Sequence, residues 1–470
     1  MRSSTRAAAA LSLVLAAGCK VGEPADPLAP PPPPEPKIVA SAVSASSTNV
    51  LSAIVTAWVQ HADSVAVRFG PAGQPLDSAT PAATLSGDSI ALPVFGLLPD
   101  TGYTLLVIAH GGDQVVRGDT LEFTTGTLPD DLPQYVAGGP DPSPGYVVFA
   151  AGLYGLALDN GGRVVWYHRF PDGIGLNFQA QPTGQYVACP PTTSPTDPGA
   201  WIVLDPLGTV VRTLTCADRL RSRLHDLILE PDGSYWLLCD ATRIMDLSAG
   251  GGVVDARVTG TVVQHVSGTG ALLFQWSPFD HFDVMDLDPA DRAGPNVNWT
   301  HGNALELDQD GNLLVSFRNL NEITKIDTRA GAVIWRMGGS RNEFSFLDAP
   351  APAFARQHGL RSAGPGQLLL LDNLGNPAGS RAERYAYDED GRIARLIGSY
   401  GPTPAVTATL GGTTQYLPDG RTLVSFGTAG RVEEYDASGR VVWQIEGNPG
   451  YVFRAQRISS LYRPAVDSPR

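Results

Sequence analysis

Apolar and polar positions alternate with a period of two along much of the chain, in short runs bounded by turn residues. Two clear runs lie in the first third of the chain, at 50–58 and 104–109. This period is that of β-strands with one buried face. Short strands at regular spacing indicate a β-sandwich. Residues 38–127 are therefore predicted to form a small β-sandwich domain, with Trp58 in its core.

From about residue 145 the chain repeats two phrases. In the first, a turn with Gly precedes an apolar strand that ends in Trp, as at 159–166, 327–335 and 436–443. The second has an Asp-Gly turn before an apolar run, as at 230–238, 308–315 and 417–424. A period of about 40 residues with several strands is typical of a β-propeller. Six units, beginning near 145, 176, 225, 301, 358 and 412, predict a six-bladed propeller over residues 128–470, with an insertion at 276–300.

The composition agrees with an all-β protein and excludes some partners. The 52 Gly and 39 Pro residues supply many turns, and 43% hydrophobic residues suffice for a large core. A net charge of −14 argues against nucleic-acid binding, which needs a basic face. An anionic ligand would therefore have to meet locally placed cations.

The N-terminus has the pattern of a bacterial lipoprotein signal. Two arginines precede the apolar run 7–17, whose 11 residues are too short to span a membrane. Cys19 follows in a lipobox-like setting and is the predicted lipidation site of segment 1–19; a secretory signal with a chance cysteine is the alternative. The Pro-rich stretch 20–37 is then a linker. We expect a lipid-anchored protein of the bacterial cell envelope that faces the periplasm or the exterior.

Three cysteines remain after Cys19, namely Cys189, Cys216 and Cys239. In an oxidising compartment two of them could pair. The sequence leaves open which two, and three buried thiols are equally compatible with it.

Three of the eight histidines share one position in the repeat. His225 and His358 each lie eight residues before the Gly of the second phrase, and His301 lies ten before it. In a propeller these positions precede the strands that line the central channel, so we expect the three side chains to converge. The other five are expected to be surface or structural residues: His61, His110, His168, His265 and His281.

Two polar residues accompany this trio. Asn303 lies two residues after His301, and Arg318 follows the apolar run 313–317 of the same unit. Three imidazoles could hold Zn²⁺ with an open position for water, which would suit a metal-dependent hydrolase. An arginine and an amide instead suit an oxyanion, with one imidazole as nucleophile and another as proton carrier. A non-catalytic propeller lipoprotein that binds a ligand or partner is the third hypothesis.

These residues lie in motifs that resemble the bacterial arylsulfotransferases, the PAPS-independent aryl-sulfate sulfotransferases. The similar stretches are 299–303, 311–319, 323–327, 334–339, 354–358, 372–373 and 380–381. Near the N-terminus, residues 97–103 look like the Leu-x-Pro-x-Thr-x-Tyr signature of fibronectin type III domains. The resemblance implies an immunoglobulin-like or fibronectin-III-like sandwich followed by a six-bladed propeller.

The resemblance also implies an activity and its residues. His358 would be the nucleophile that is transiently sulfated, and His301 the acid and base. His225, Asn303 and Arg318 would hold the sulfuryl oxygens. The reaction would be a ping-pong exchange between phenolic sulfates and phenols without a cofactor. A lipid anchor would be the sole membrane contact, no nucleic acid would bind, and a homodimer is compatible with the chain.

Overall fold

The computed structural model describes residues 34–171, 173, 176–191 and 198–466. The predicted signal segment with its lipidation site Cys19 lies outside these residues, as does most of the predicted linker. Within the described ranges, no helix is both long enough and apolar enough to cross a membrane.

Eight strands of the N-terminal part form two sheets packed face to face. One sheet has the order β1-β2-β6; the other has the order β4-β3-β7-β8, with β5 also pairing with β3. The strands are β1 (Lys37–Ala45), β2 (Ala53–Gln60), β3 (Ser64–Pro71), β4 (Ser78–Ala79), β5 (Ala83–Thr84), β6 (Ser89–Val94), β7 (Gly102–Gly111) and β8 (Gln114–Thr124). Alternate residues of β2, β3 and β7 are buried, as the period of two predicts. The predicted β-sandwich is confirmed.

Trp58 does not lie in the core of this sandwich, so that prediction was wrong. On β2 the residues Val55, Ala57 and Val59 are buried, and Trp58 between them is 42% exposed. Successive side chains of a strand point to opposite faces, so the small buried residues assign Trp58 to the outer face. Tyr103 does take a core place, and its hydroxyl accepts a 2.8 Å hydrogen bond from the Leu98 amide. The fibronectin-III-like assignment stays a prediction.

The rest of the chain forms six mainly antiparallel sheets, the blades of a propeller. In chain order their strands are β9 (Ala137–Gly138), β10 (Tyr146–Ala151), β11 (Tyr154–Leu158), β12 (Val164–Arg169), β13 (Phe178–Ala180), β14 (Tyr186–Ala188), β15 (Trp201–Leu204), β16 (Val210–Leu214), β17 (Arg221–Leu229), β18 (Tyr235–Met245), β19 (Ala256–Val266), β20 (Leu272–Trp276), β21 (Asn296–Asn298), β22 (Gly302–Leu307), β23 (Leu313–Phe317), β24 (Glu322–Ile326), β25 (Val333–Gly338), β26 (Ser345–Leu347), β27 (His358–Ser362), β28 (Gln367–Asp372), β29 (Arg381–Asp388), β30 (Ile393–Tyr400), β31 (Thr413–Tyr416), β32 (Thr422–Ser425), β33 (Val432–Tyr435), β34 (Val441–Ile445) and β35 (Ala455–Ile458).

Blades two to six are each built from four consecutive strands. Their inner strands are β13, β17, β22, β27 and β31. The Asp-Gly phrase lies in the turn after the inner strand, where Gly233, Gly311 and Gly420 have φ of +84°, +80° and +86°. Glycine adopts this left-handed conformation without the steric cost that a side chain adds. The six predicted blades are confirmed.

The first blade closes the ring with strands from both ends of the domain. Its inner strand is β35, from the C-terminal end, which pairs with β10; β11 and β12 lie outside it. The short strand β9 pairs in turn with β34 at the outer edge of blade six. The unit that begins near residue 145 therefore lacks an inner strand of its own, and Arg454 stands where that strand begins.

Two segments that link blades each add a further strand to a blade. The first, between β20 and β22, contains β21, which pairs with β19, and three short helical turns (Pro278–Asp280, Val284–Asp286 and α1, Pro289–Arg292). It includes the predicted insertion. The second follows blade four and contains β26, which pairs with β30 of blade five. Two further 3-10 turns are Ser248–Gly250 and Arg318–Leu320.

A disulfide joins Cys216, just after blade two, to Cys239 on β18 of blade three. Cys189 is buried near both, within the same apolar cluster. Cys239 pairs across the sheet with Ser222, and the Ser222 hydroxyl accepts a 3.1 Å hydrogen bond from the Cys216 amide. The disulfide therefore lies directly behind the part of β17 that leads to His225.

Loss of this disulfide is expected to destabilise the propeller. The bond closes a loop over a sequence separation of 23 residues, and such loops restrict the unfolded chain by about 3 kcal/mol. Equilibrium unfolding in denaturant of the variant with Cys216→Ala and Cys239→Ala should show that loss. The same variant under reducing conditions is the control, because its stability should not change further. Equal stability of variant and parent would contradict the prediction.

Candidate active site

The predicted histidines meet at one end of the central channel. The ring centroids of His225 and His301 are 4.9 Å apart, and those of His225 and His358 are 6.0 Å apart. They come from three neighbouring blades, at or just before the inner strands β17, β22 and β27. Phe453, beside the closing strand β35, packs against His225 and His358. The convergence expected from the spacing is therefore observed.

Each inner strand that carries one of these histidines has a bulge there. The pairing register shifts between Ser222 and Leu227 on β17, between Gly302 and Ala304 on β22, and between His358 and Arg361 on β27. The inner-strand pairs of the other three blades keep an even register. A bulge changes the direction of a side chain and locally ends the pairing. The histidines are thus turned toward the channel by departures from regular strand geometry.

His358 is held with one ring nitrogen fixed and the other available. Its Nδ1 is 2.6 Å from the carbonyl oxygen of Gly412, which can only accept, so Nδ1 carries the proton. Burial lowers the pKa of His358 to about 3, and the charges of Arg454 and Arg318 contribute. At neutral pH the ring is therefore neutral, with a lone pair on Nε2. That is the protonation state required of a nucleophilic imidazole.

His301 has an unusual backbone conformation and a defined partner. Its φ is +46°, in the left-handed region that non-glycine residues rarely adopt. Its Nδ1 is 2.6 Å from the side-chain amide nitrogen of Asn298, which donates to it. Burial, with the charges of Arg223 and Arg318, lowers the pKa of His301 to about 2. In the neutral ring Nε2 therefore carries the proton.

His225 is oriented by an arginine on the same bulge. Arg223 Nε donates to His225 Nδ1 at 3.3 Å, and Arg223 Nη1 forms a 2.5 Å ion pair with Asp240. Burial and the charge of Arg223 lower the pKa of His225 well below its usual value. Its Nε2 is consequently a hydrogen-bond donor. The bulge itself is secured by Asn177, whose amide donates to the carbonyl oxygens of Leu224 and His225.

Arg318 provides a cation that has no carboxylate partner among the described residues. It donates to Asn319 Oδ1 and to the Thr409 carbonyl oxygen, both at 3.1 Å. Arg356 lies close by and is itself paired with Asp291. Burial, followed by the charge of Arg356, lowers the pKa of Arg318. A guanidinium of this kind remains available for an external anion.

Asn303 is buried at the bulge of β22, but its amide already has a partner. Its Nδ2 donates at 2.7 Å to the carbonyl oxygen of Gln357, the residue before His358. Its Oδ1 is buried without a hydrogen-bond donor. Asn303 is thus hydrogen-bonded to the backbone directly before His358.

The structure adds charged residues that the sequence patterns did not identify. Arg454 and Arg361 share the buried carboxylate of Asp226, the neighbour of His225. The Leu-His-Asp sequence could have indicated Asp226. The sequence repeat could not indicate Arg454, because this residue precedes the closing strand of blade one and lies in neither of the two repeated phrases.

Three of the remaining histidines, His168, His265 and His281, pack against aromatic rings, as expected of structural residues. The rings of His265 and His281 stack on Trp236 and Trp276 at interplanar angles of 6° and 8°. His168 packs against Phe170. They lie away from the trio on outer parts of the blades.

A separate cluster gathers oxygen ligands as a cation site would. Among the described residues, the potential ligand atoms of Asp308, Asp310 and Glu389 lie within 4.8 Å of one another. The ammonium group of Lys325, which is 2% exposed, pairs with all three carboxylates. The lysine therefore supplies the positive charge that this cluster needs.

The three neutral histidines predict a loss of stability in acid. Their folded-state pKa values lie below the usual 6.5, at about 2 for His301 and about 3 for His358. Between about pH 3 and 6.5 the unfolded chain therefore binds more protons, and the free energy of unfolding falls as the pH falls. The slope is up to about 1.4 kcal/mol per pH unit and per histidine. Melting temperatures between pH 7.5 and 5 should decrease more steeply for the parent than for His358→Asn; equal slopes would contradict this.

Solved structures similar to the chain are distant in sequence. A protein of unknown function from Bacteroides caccae has 12% identity and a TM-score of 0.42, over 67% of this chain and 98% of that one. Virginiamycin B lyase from Staphylococcus aureus has 12% identity and a TM-score of 0.37, over 67% and 85%. Regucalcin from Agrobacterium tumefaciens has 16% identity and a TM-score of 0.34, over 69% and 96%.

The family comparison matches the part of the chain that carries the site. A search of curated proteins gave no match. A family model described as arylsulfotransferase (ASST) matches residues 213–448, just over half of the chain. The match begins before His225 and includes His301, Arg318 and His358. The chain therefore belongs to the arylsulfotransferase family, which supports a sulfotransferase function.

Proposed function

We propose that this protein transfers a sulfuryl group from a phenolic sulfate ester to a phenolic acceptor through a sulfohistidine at His358, without PAPS. The observation that carries the proposal is the meeting of three neutral imidazoles beside an arginine that has no carboxylate partner in the described part of the chain. Neutral imidazoles supply a nucleophile and hydrogen-bond donors. The unpaired cation favours an anionic substrate.

In the first half-reaction, His358 Nε2 attacks the sulfur of the donor. The new N–S bond forms as the S–O bond to the phenol breaks, and the electron pair leaves with the phenolate. The hydrogen bond from Nδ1 to the Gly412 carbonyl oxygen stabilises the positive charge that develops on the ring. Arg318, with His225 Nε2, would offset the charge on the sulfuryl oxygens.

His301 would carry the proton between the two half-reactions. The bound sulfate ester adds a negative charge, which opposes the burial and the arginine charges that keep the pKa of His301 low. The imidazolium then protonates the departing phenolate. In the second half-reaction the neutral ring takes the proton of the acceptor phenol, whose oxygen attacks the sulfur and releases His358.

The electrostatic setting favours oxyanion transfer over the alternative of a metal-dependent hydrolase. Arg223, Arg318 and Arg454 all lower histidine pKa values in the site, which shows that positive charge surrounds the rings. A divalent cation would be repelled there unless an anion accompanied it.

Turnover of 4-nitrophenyl sulfate with and without phenol tests the proposal. We expect nitrophenolate release that requires phenol, one phenyl sulfate formed per nitrophenolate, parallel double-reciprocal plots, and no inhibition by chelators. Release of inorganic sulfate without an acceptor, or loss of activity with EDTA, would favour the hydrolase. Binding of phenolic sulfates without turnover would favour the non-catalytic hypothesis.

We also propose that the protein acts outside the cytoplasm as a lipid-anchored enzyme. The Cys216–Cys239 disulfide supports an oxidising compartment, since such bonds are rare in the cytosol. Cys19, the proposed lipidation site, lies outside the described residues. Metabolic labelling with a fatty acid, lost in Cys19→Ala, tests the anchor.

A further inference from the structure

Arg454 is a fully buried cation beside the histidine trio. Its side chain is 1% exposed, and it directly precedes the closing strand β35. Two of its three nitrogens are bound by the protein. Nε donates to Asn177 Oδ1 at 3.0 Å, and Nη2 donates to the His225 carbonyl oxygen at 3.0 Å and to Asp226 Oδ1 at 3.2 Å. These contacts fix the plane of the guanidinium group.

The third nitrogen, Nη1, has no acceptor among the described residues. Nη1 is not fully enclosed by protein atoms, although the side chain as a whole is only 1% exposed. A buried guanidinium normally satisfies its donors with protein acceptors. An unpaired nitrogen on an otherwise fixed group is therefore a donor that a ligand could use.

The charges around Arg454 leave an excess of positive charge. The carboxylate of Asp226 accepts from Arg361 at 2.9 Å as well as from Arg454, so two cations share one anion. Glu306 is the next carboxylate, 3.9 Å from Arg361 Nε. Burial raises the pKa of Glu306 to about 7, so it is only partly ionised at neutral pH. An anionic ligand would restore the balance.

The position of Arg454 relative to the histidines indicates where such a ligand would lie. One acceptor of Arg454 is the backbone of His225, and its neighbour Phe453 contacts His225 and His358. The charge of Arg454 lowers the pKa values of these two histidines. Arg454 therefore lies beside this pair of rings at the start of β35 in blade one, whereas Arg318 belongs to blade four.

We propose that Arg454 is a second anion-binding arginine of this site, whose Nη1 donates to an oxygen of the oxyanion held between His225 and His358. In the proposed sulfotransferase that oxyanion is the sulfuryl group, and this part of the inference rests on the proposed function. The binding of a tetrahedral oxyanion by Arg454 does not depend on the proposed function. Arg454 and Arg318 would thus contact the group from two sides, as a bidentate or paired arginine arrangement does for oxyanions.

Binding of inorganic sulfate to the purified protein tests the proposal. Sulfate should raise the melting temperature beyond sodium chloride of equal ionic strength, and the titration gives its affinity. Arg454→Lys keeps the charge, but a single ammonium group cannot replace the contacts to Asn177, the His225 carbonyl oxygen and Asp226 and also reach the ligand. We expect sulfate affinity to fall at least about 10-fold, as loss of a hydrogen bond between charged groups predicts. In turnover, kcat/KM for 4-nitrophenyl sulfate should fall at least as much.

Two matched variants separate this role from a structural one. Arg457→Lys changes a buried arginine on β35 itself, one that pairs with Glu434. This variant should bind sulfate within about twofold of the parent, as expected of a site remote from the ligand. Arg361→Lys changes the other partner of Asp226. An equal loss of sulfate affinity in Arg361→Lys would show that Arg454 acts only through Asp226 and would overturn the proposal.

Sulfate binding by the parent and by Arg454→Lys gives further outcomes that support or overturn the role of Arg454. Normal sulfate binding by folded Arg454→Lys, or no sulfate binding by the parent, would overturn the inference. Sulfate binding that depends on Arg454, in a protein without turnover, would support it while contradicting the sulfotransferase. If Arg454→Lys does not fold, the variant with Arg454→Met and Asp226→Asn, which removes both charges of the pair, is measured in its place.

Discussion

Replacement of His358 by alanine is expected to abolish sulfuryl transfer, lowering kcat by at least about 10³-fold, as removal of an enzymatic nucleophile does. The ring is 2% exposed, and its Nδ1–H is committed to the Gly412 carbonyl oxygen. Nε2 is thus the atom that can attack. With its pKa at about 3, the ring is neutral throughout the neutral pH range. No other histidine of the trio has Nδ1 bound to an obligate acceptor.

A covalent label makes this prediction specific to the nucleophile. Incubation with ³⁵S-labelled donor and no acceptor should leave an acid-labile label on the parent protein and none on His358→Ala. His281→Ala changes an exposed histidine that stacks on Trp276 and should keep both label and turnover. Label retained by His358→Ala, with its site at His225 or His301, would reassign the nucleophile.

The repeat pattern predicted much of this architecture because strands and turns are local features. Alternating apolar positions and the Asp-Gly turns predicted six blades. The shared position of His225, His301 and His358 in the repeat predicted that their side chains converge. The bulges that turn these rings inward were not predictable. They depend on contacts from neighbouring blades, such as the Asn177 amide that binds the carbonyl oxygens of Leu224 and His225.

Features that join distant parts of the chain could not be predicted from the sequence. Arg454 enters the site only because the last strand completes the first blade. Cys216 and Cys239 pair because blades two and three pack side by side, whereas Cys189 satisfies the same sequence criteria. Trp58 lies outside the core because the small residues beside it on β2 occupy the core face, a choice between two faces that the alternating pattern alone does not make.

The site has more fixed positive charge than its own carboxylates neutralise, and this charge adds to burial in keeping its histidines neutral. Arg318 has no carboxylate partner among the described residues, and Arg454 shares Asp226 with Arg361. In the absence of an anion, this charge and burial keep the imidazoles neutral. Arrival of an anionic donor would then both fill the site and raise the pKa of the proton carrier.

Replacement of His301 by asparagine is therefore expected to affect donors according to their leaving groups. The general acid is needed most when the departing phenolate is strongly basic. For phenyl sulfate we expect kcat/KM to fall about 10²–10⁴-fold, the usual contribution of general acid catalysis. For 4-nitrophenyl sulfate, whose phenolate needs little protonation, the fall should be within about 10-fold by the same reasoning. Asparagine tolerates the left-handed conformation, with φ of +46°, that His301 adopts.

The dependence of log(kcat/KM) on the pKa of the leaving phenol, measured over a series of substituted phenyl sulfates, gives the decisive comparison. Loss of the acid should steepen that dependence in His301→Asn, because negative charge then accumulates unprotected on the leaving oxygen. Asn298→Ala removes the amide that binds Nδ1 at 2.6 Å but leaves the ring, so its slope should lie between those of the parent and His301→Asn. A uniform loss for all donors, with an unchanged slope, would mean that His301 binds the sulfuryl group and that the proton is carried by another residue.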